Sequence, residues 1–267
     1  MLKFLSLSSG SSGNCYYLES GGEAILVDLG MGIRRFKKYF ADYGLSFSRL
    51  KAIFVTHDHA DHVQSVGRLA ETCNLPVYAL EDTHMGISRN RYVGKKIPQN
   101  LKRFVTPEEP VEVGAFRLTP FVVPHDSAAN CGYFIEAGGV TLCLATDIGH
   151  ATAEIKAHIA RARYVVVEAN YDNNMLETGP YPVYLKNRIR GERGHLDNRE
   201  TAEMLCEALA ENACRVWLCH LSEENNRPEV ARQTIENHLK DAFGDERSLP
   251  VVEPLARLRP TGPFDLE

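Results

Sequence analysis

Thr56-His57-Asp58-His59-Ala60-Asp61-His62 places three histidines and two aspartates within six residues, directly after the apolar run Lys51-Ala-Ile-Phe-Val55. That run reads as a short buried strand, so the cluster sits on the loop leaving its C-terminal end. A loop can bend until side chains two and five positions apart converge. Imidazole and carboxylate are the ligands that borderline and hard divalent cations prefer. In a chain with ten histidines among 267 residues, so dense a cluster marks a metal site, not a polar loop rich in histidine by chance. His57 and His59 can face one ion, Asp61 and His62 a second. Asp58 lies between ligands and is expected to turn away into a supporting hydrogen bond. Each ion still needs ligands from elsewhere in the chain.

The composition is that of an ordinary globular protein, with 44% hydrophobic and 24% charged residues. A formal net charge of −5 gives no whole-molecule attraction to nucleic acid or anionic membrane, so an anionic substrate has to be met by local positive charge. No leader pattern and no apolar run of transmembrane length is present, so no membrane association is expected. The seven cysteines form no CxxC pair and sit mostly in apolar segments. They are expected to be reduced, buried thiols of a cytoplasmic protein.

Residues 1–7, 15–18 and 23–28 read as strands, the first two joined by Ser8-Ser-Gly-Ser-Ser-Gly13-Asn14. That string resembles a cloning linker, but its place between two strands marks a native turn whose glycines let backbone approach closely. Residues 30–44 carry Ile33, Phe36, Tyr39, Phe40 and Tyr43 at helical spacing, with Arg34, Arg35, Lys37 and Lys38 outside. Helices are expected at 62–73 and 81–88 around a strand at 76–80. The stretch 89–103, basic and without an acid, reads as an exposed loop. Further strands are expected at 116–123, 132–137, 140–145, 164–167, 215–219 and 249–252, and helices at 180–190, 198–211 and 229–242.

Polar residues recur where these strands end: His57, His125, Asp147 and His220. Side chains gather in this way at one rim of a sheet sandwich. They supply the missing ligands, with His125 joining His57 and His59, His220 joining Asp61 and His62, and Asp147 bridging. His195, in a glycine-flanked loop, is the candidate proton donor or phosphate contact, or else a loop histidine in a structural hydrogen bond. Of three basic sets (34–38, 89–103 and 186–193), the last is nearest to His195. Its Arg188, Arg190 and Arg193 are the candidate phosphate contacts, weighed against a solvated helix face. Ser222 and Asn225 either bond substrate or cap the following helix.

The order His57-x-His59-x-Asp61-His62, His125, Asp147, His220 resembles the metal pattern of the metallo-β-lactamase superfamily. Ser9-Gly-Ser-Ser-Gly-Asn14, Glu168-Ala-Asn-Tyr-Asp172, Gly194-His195-Leu and His220-Leu-Ser-Glu-Glu-Asn-Asn226 resemble its YycJ/WalJ (VicX) branch. The resemblance implies an α+β fold, a four-layer αββα sandwich of two mixed sheets with two metals at one edge. It also implies a DNA exonuclease-like phosphodiesterase, working from the 5′ towards the 3′ end. A cysteine ligand near Asp147, usual in two-zinc β-lactamases, is missing. The interval from Asp147 to His220 is too short for an inserted β-CASP domain, so residues 1–267 are expected to form one domain.

Two neighbouring divalent ions can lower the pKa of a bridging water, neutralise a phosphoryl oxygen and hold attack in line, with Asp61 orienting the nucleophile. Zinc suits the imidazole-rich set, and the carboxylates also accept manganese or iron. The expected partner is therefore nucleic acid. The competing readings are a small-molecule phosphodiester or thioester hydrolase resembling glyoxalase II, and a non-catalytic regulator of a cell-wall signalling system.

Overall fold

Leu2–Ser8 (β1), Cys15–Ser20 (β2) and Glu23–Val27 (β3) form an antiparallel meander in the computed structural model, which describes residues 1–244 and 248–267. The chain then changes to parallel crossovers. Ile33–Asp42 (α1) leads to Leu50–Phe54 (β4), Ala60–Val63 (α2) and Val66–Cys73 (α3) to Val77–Ala79 (β5), and Glu81–Arg89 (α4) to Lys102–Phe104 (β6).

The second half repeats that plan. Val111–Val113 (β7), Phe116–Val122 (β8), Cys131–Ala137 (β9) and Val140–Ala145 (β10) are antiparallel neighbours. Ala153–Ile159 (α5) connects to Tyr164–Glu168 (β11). Asn173–Thr178 (α6), Val183–Ile189 (α7) and Asn198–Ala208 (α8) connect to Arg215–Cys219 (β12), and Pro228–Phe243 (α9) to Val251–Pro254 (β13), all three strands running parallel to β10. Thr261–Leu266 (β14) returns to pair with β1. The two seven-stranded sheets are ordered β14-β1-β2-β3-β4-β5-β6 and β13-β12-β11-β10-β9-β8-β7.

Alternation along the strands sends one set of side chains between the sheets and the other under the helices. Phe4, Tyr16, Phe54, Tyr133 and Trp217 fill the inter-sheet layer. Phe36 and Phe40 of α1 and Leu69 of α3 cover the first sheet; Ile155 of α5, Leu205 of α8 and Ile235 of α9 cover the second. The result is the αββα sandwich. Each fully buried large apolar side chain contributes about 1.5–3 kcal/mol.

The expected helix at 62–73 is two helices. Ser65 breaks it, because its backbone N–H donates to Leu29 O and its hydroxyl to Met31 O. The stretch 89–103 is also less exposed than its charge suggests: Val93, Ile97 and Leu101 are buried in the core under the first sheet. The sequence reading missed β6, β7, α5, α6 and β14. Strand β14 contains Gly262-Pro263 and lies at a sheet edge, where proline is tolerated and the alternation signal is weak.

Candidate metal centre

One rim of the sandwich collects the C-terminal ends of β3, β4, β8, β10, β11 and β12. They deliver Asp28, His57, His125, Asp147, Glu168 and His220, all buried. Asp28, Asp147 and His220 hold φ values of 60°, 57° and 52°. Left-handed backbone costs a non-glycine residue about 1–2 kcal/mol, and three such residues at one rim place strain where side chains must be aimed. The start of α2, with His59 just before it and Asp61 in its first turn, packs onto Gly30, where a Cβ would lie 1.6 Å from Asp61 O.

His57, His59 and His125 bring three donor atoms within 4.8 Å of one another, as do Asp61, His62 and His220, and also His57, His62 and Asp147. Asp147 touches both trios: Oδ2 lies 3.2 Å from His62 Nε2, and Oδ1 lies 3.7 Å from His125 Nε2 and 3.3 Å from His220 Nδ1. Outer partners fix the rings. His125 Nδ1 donates to Gly194 O (3.0 Å), His62 Nδ1 contacts Asp28 Oδ2 (2.7 Å), and His57 Nδ1 lies 3.0 Å from Thr56 Oγ1. Such contacts select which ring nitrogen is left for a cation. Asn14 Nδ2 lies 2.9 Å from His62 Nε2, the nitrogen left for a cation by the contact of Nδ1 with Asp28. His57 Nε2 is buried with no hydrogen-bond partner among the described residues. A buried polar atom left so is costly unless something occupies that face. The donor set fits divalent cations.

Charge supports the same conclusion. Burial, reinforced by the His62 charge, pushes His57 well below its ordinary pKa and keeps it neutral, the ligating form. Burial opposes ionisation of Asp147, yet His220, His62 and His57 hold its carboxyl well below the usual range. For His220, burial is outweighed by Asp147, Asp61 and Glu168, which lift it to about 10. His195 is raised as well, burial being overcome by Glu168.

Asp58 turns away from the cluster, as expected, and accepts from Ala128 N at 3.0 Å. The Ser8–Asn14 turn does approach something: Ser9 Oγ accepts from His220 N at 3.0 Å, and Asn14 N donates to Asp61 O at 2.7 Å. His195 joins the rim with its ring centroid 5.0 Å from that of His125. Its side chain is 18% exposed, and Nδ1 is 2.8 Å from Glu168 Oε1. The expected phosphate contacts are already engaged. Arg188 pairs with Asp126 at 2.5 Å, Arg190 pairs with Glu177, and Arg193 Nε donates to His125 O at 2.9 Å. Ser222 Oγ accepts from Asn225 N at 3.1 Å, closing a turn before α9.

Sequence reasoning missed Glu168, Asp28 and Asp126 as members of the site. The first two were marked by the rule that found His125, a polar side chain closing an apolar strand: Tyr164-Val-Val-Val-Glu168 and Ala24-Ile-Leu-Val-Asp28. Asp126 Oδ1 lies 3.4 Å from His125 Nε2 and 3.8 Å from His59 Nε2.

With this sandwich and rim, the chain belongs to the metallo-β-lactamase superfamily: residues 23–221 match the family model described as the beta-lactamase superfamily domain. It is similar to exodeoxyribonuclease WalJ of Streptococcus pneumoniae, 33% identical over 240 residues, covering 90% of this chain and 89% of the relative. Exodeoxyribonuclease YycJ of Bacillus anthracis is 32% identical over 244 residues, covering 91% of each. Among solved structures, Zn(2+)-bound PqqB from Methylobacterium extorquens superposes with a TM-score of 0.72 over 100% of both chains at 16% identity, a likeness of fold.

Proposed function

We propose that this chain is a metal-dependent exodeoxyribonuclease that hydrolyses phosphodiester bonds of DNA, working from the 5′ towards the 3′ end as one unit spanning residues 1–267. The observation that carries the reading is the pair of donor trios sharing Asp147, with His57 Nε2 buried and unpartnered. The similarity to two exodeoxyribonucleases over nine-tenths of their length supports it. Two divalent cations, zinc by the share of imidazole or manganese or iron by the carboxylates, would be held by His57, His59 and His125, by Asp61, His62 and His220, and by Asp147. They would supply Lewis acidity for activating water near neutral pH and for neutralising phosphoryl charge.

The protein's own groups do the rest. Asp61, 25% exposed at its side chain, is the carboxylate that orients the attacking water from the cleft side. His195 protonates the departing sugar oxygen from Nε2, while Glu168 holds the proton on Nδ1. Phosphates reaching the rim at Arg188 and Arg190 compete with Asp126 and Glu177 for those guanidinium groups, Arg193 supports the loop of His125, and Ser222 and Asn225 hold the turn after His220. No helix among the described residues is long and apolar enough to cross a membrane. The free cysteines support a place in the cytoplasm.

The test is release of mononucleotides from end-labelled DNA by the protein loaded with zinc or manganese. Hydrolysis of a thioester with no action on DNA would overturn the reading.

A further inference from the structure

A cavity of about 730 Å³ opens beside the metal loop, lined by Arg34, Arg35, Gln64, Arg68, Tyr92 and Lys95 among others, with no acidic side chain in its wall. It brings Arg34 and Arg35 of the basic set 34–38 together with Lys95 of the set 89–103, far apart in sequence. The chain as a whole carries a net charge of −5, so this concentration of cations runs against the rest of the molecule. Arg34 and Arg68 have no carboxylate partner among the described residues. Arg35 Nη2 donates to Ser12 O at 3.1 Å, while its Nε is shielded from solvent and has no partner among the described residues. Lys95 is held by an exposed Glu71 at 2.8 Å. These cations are freer than Arg188, Arg190 and Arg193, each of which is occupied within the chain.

Position links the cavity to the metal centre. Gln64 stands two residues after His62, and Ser12 two before Asn14, whose amide touches His62. Two residues span at most about 7 Å, which places the wall of the cavity next to the segment that carries the candidate ligands. Tyr92 stands at its mouth with 76% of its surface exposed. An aromatic ring beside a cluster of cations is the arrangement that binds single-stranded nucleic acid, with bases stacking and phosphates paired.

We propose that this cavity is the track for a single DNA strand flanking the scissile bond, with Arg34, Arg35 and Arg68 on phosphate and Tyr92 stacked on a base. The inference rests on the nuclease reading above and names where that substrate lies. The ligand chemistry is phosphate, either an internal diester or a terminal monoester.

The experiment uses the metal-loaded full chain and a short single-stranded oligonucleotide with phosphorothioate linkages, which keep the charge and resist cleavage. Affinity is measured against salt. Removing two phosphate contacts with Arg34→Ala and Arg68→Ala should reduce the slope of log K against log salt by about 1.4. Tyr92→Ala should weaken binding roughly 5- to 100-fold with the slope unchanged. Lys38→Ala, on the outer face of α1 and paired with Asp42, should leave the slope as it was. Metal content and unfolding temperature of each variant report on folding. A preference for 5′-phosphorylated over 5′-hydroxyl strands that is lost in Arg35→Gln assigns a terminal phosphate, and an equal loss on both assigns an internal one; either upholds the track. An unchanged slope and affinity in the folded double variant overturns it. Tight binding without any cleavage by the wild-type protein would instead overturn the nuclease reading and leave the track in place.

Discussion

Glu168 Oε1 lies 2.8 Å from Nδ1 of His195 and 3.0 Å from Nδ1 of His220, so one buried carboxylate steers two imidazoles. Its other oxygen accepts from the backbone of Ile148 at 2.8 Å and Leu196 at 3.2 Å. Those bonds tie it to the residues following Asp147 and His195. The carboxylate is thereby fixed, and His195 and His220 hold it below the usual carboxylate range. The proposed metal ligand His220 and the proposed proton donor His195 are oriented by the same group.

His195→Ala should lower turnover of a DNA phosphodiester by roughly 10²–10⁴, the usual loss for an acid–base group. It should cost much less with a nitrophenyl leaving group, which departs without a proton, and metal content should stay the same. Glu168 also raises the pKa of His195. A donor must be protonated to act, so Glu168→Gln should move the alkaline limb of the rate profile to lower pH. Equal losses for both leaving groups in His195→Ala would make that residue a phosphate contact.

Metal uptake should release protons. In the metal-free protein burial disfavours the charged forms of His62 and His220, but Asp147 and the other carboxylates outweigh it and raise both, His220 up to about 10. Ligation needs neutral imidazole, so apparent affinity should rise with pH across the neutral range. Calorimetry in buffers of different ionisation enthalpy reads the protons, and elemental analysis should find up to two ions per chain. Uptake with no proton release, or one ion at most after reconstitution, would remove Asp147 from a bridging role.

Asp61→Ala should abolish hydrolysis and leave the fold largely intact. The residue stands on a rim helix, not in a core layer, and rim groups contribute more to chemistry than to packing. Circular dichroism should match wild type while activity on a phosphodiester falls below a few per cent. Retained activity would show that another group orients the nucleophile.

The metal rim was legible because strands announce where they end, and His57, His125, Asp147 and His220 each close an apolar run. Periodicity gave most of both sheets for the same reason. Tertiary partnership was not legible. Nothing local tells that Arg188 meets Asp126, 62 residues away, while Arg34 and Arg68 line a cavity without a carboxylate partner among the described residues. The choice among three basic sets therefore depended on contacts that sequence distance conceals. The break at Ser65 has the same origin: Leu29 O and Met31 O capture that residue from another loop.

Gly30→Ala tests how far the rim depends on backbone contact. Its Cβ would lie 1.6 Å from Asp61 O and 2.5 Å from His62 N, so the ligand loop has to move. Overpacking of this kind costs roughly 1–3 kcal/mol or more, and each kcal/mol lowers the unfolding temperature by about 2–4 °C in a chain of this size. Displaced ligands should also weaken metal binding by roughly 10- to 100-fold, as lost outer support does elsewhere. Gly139→Ala separates the two effects. Gly139 has φ +78° with nothing within 4 Å of an added Cβ, so alanine there should cost about 1–2 kcal/mol of backbone strain. Metal affinity should be untouched. Thermal unfolding and metal titration of both variants decide the matter, and a Gly30→Ala protein with wild-type affinity would show that the loop tolerates displacement without losing its ligand geometry.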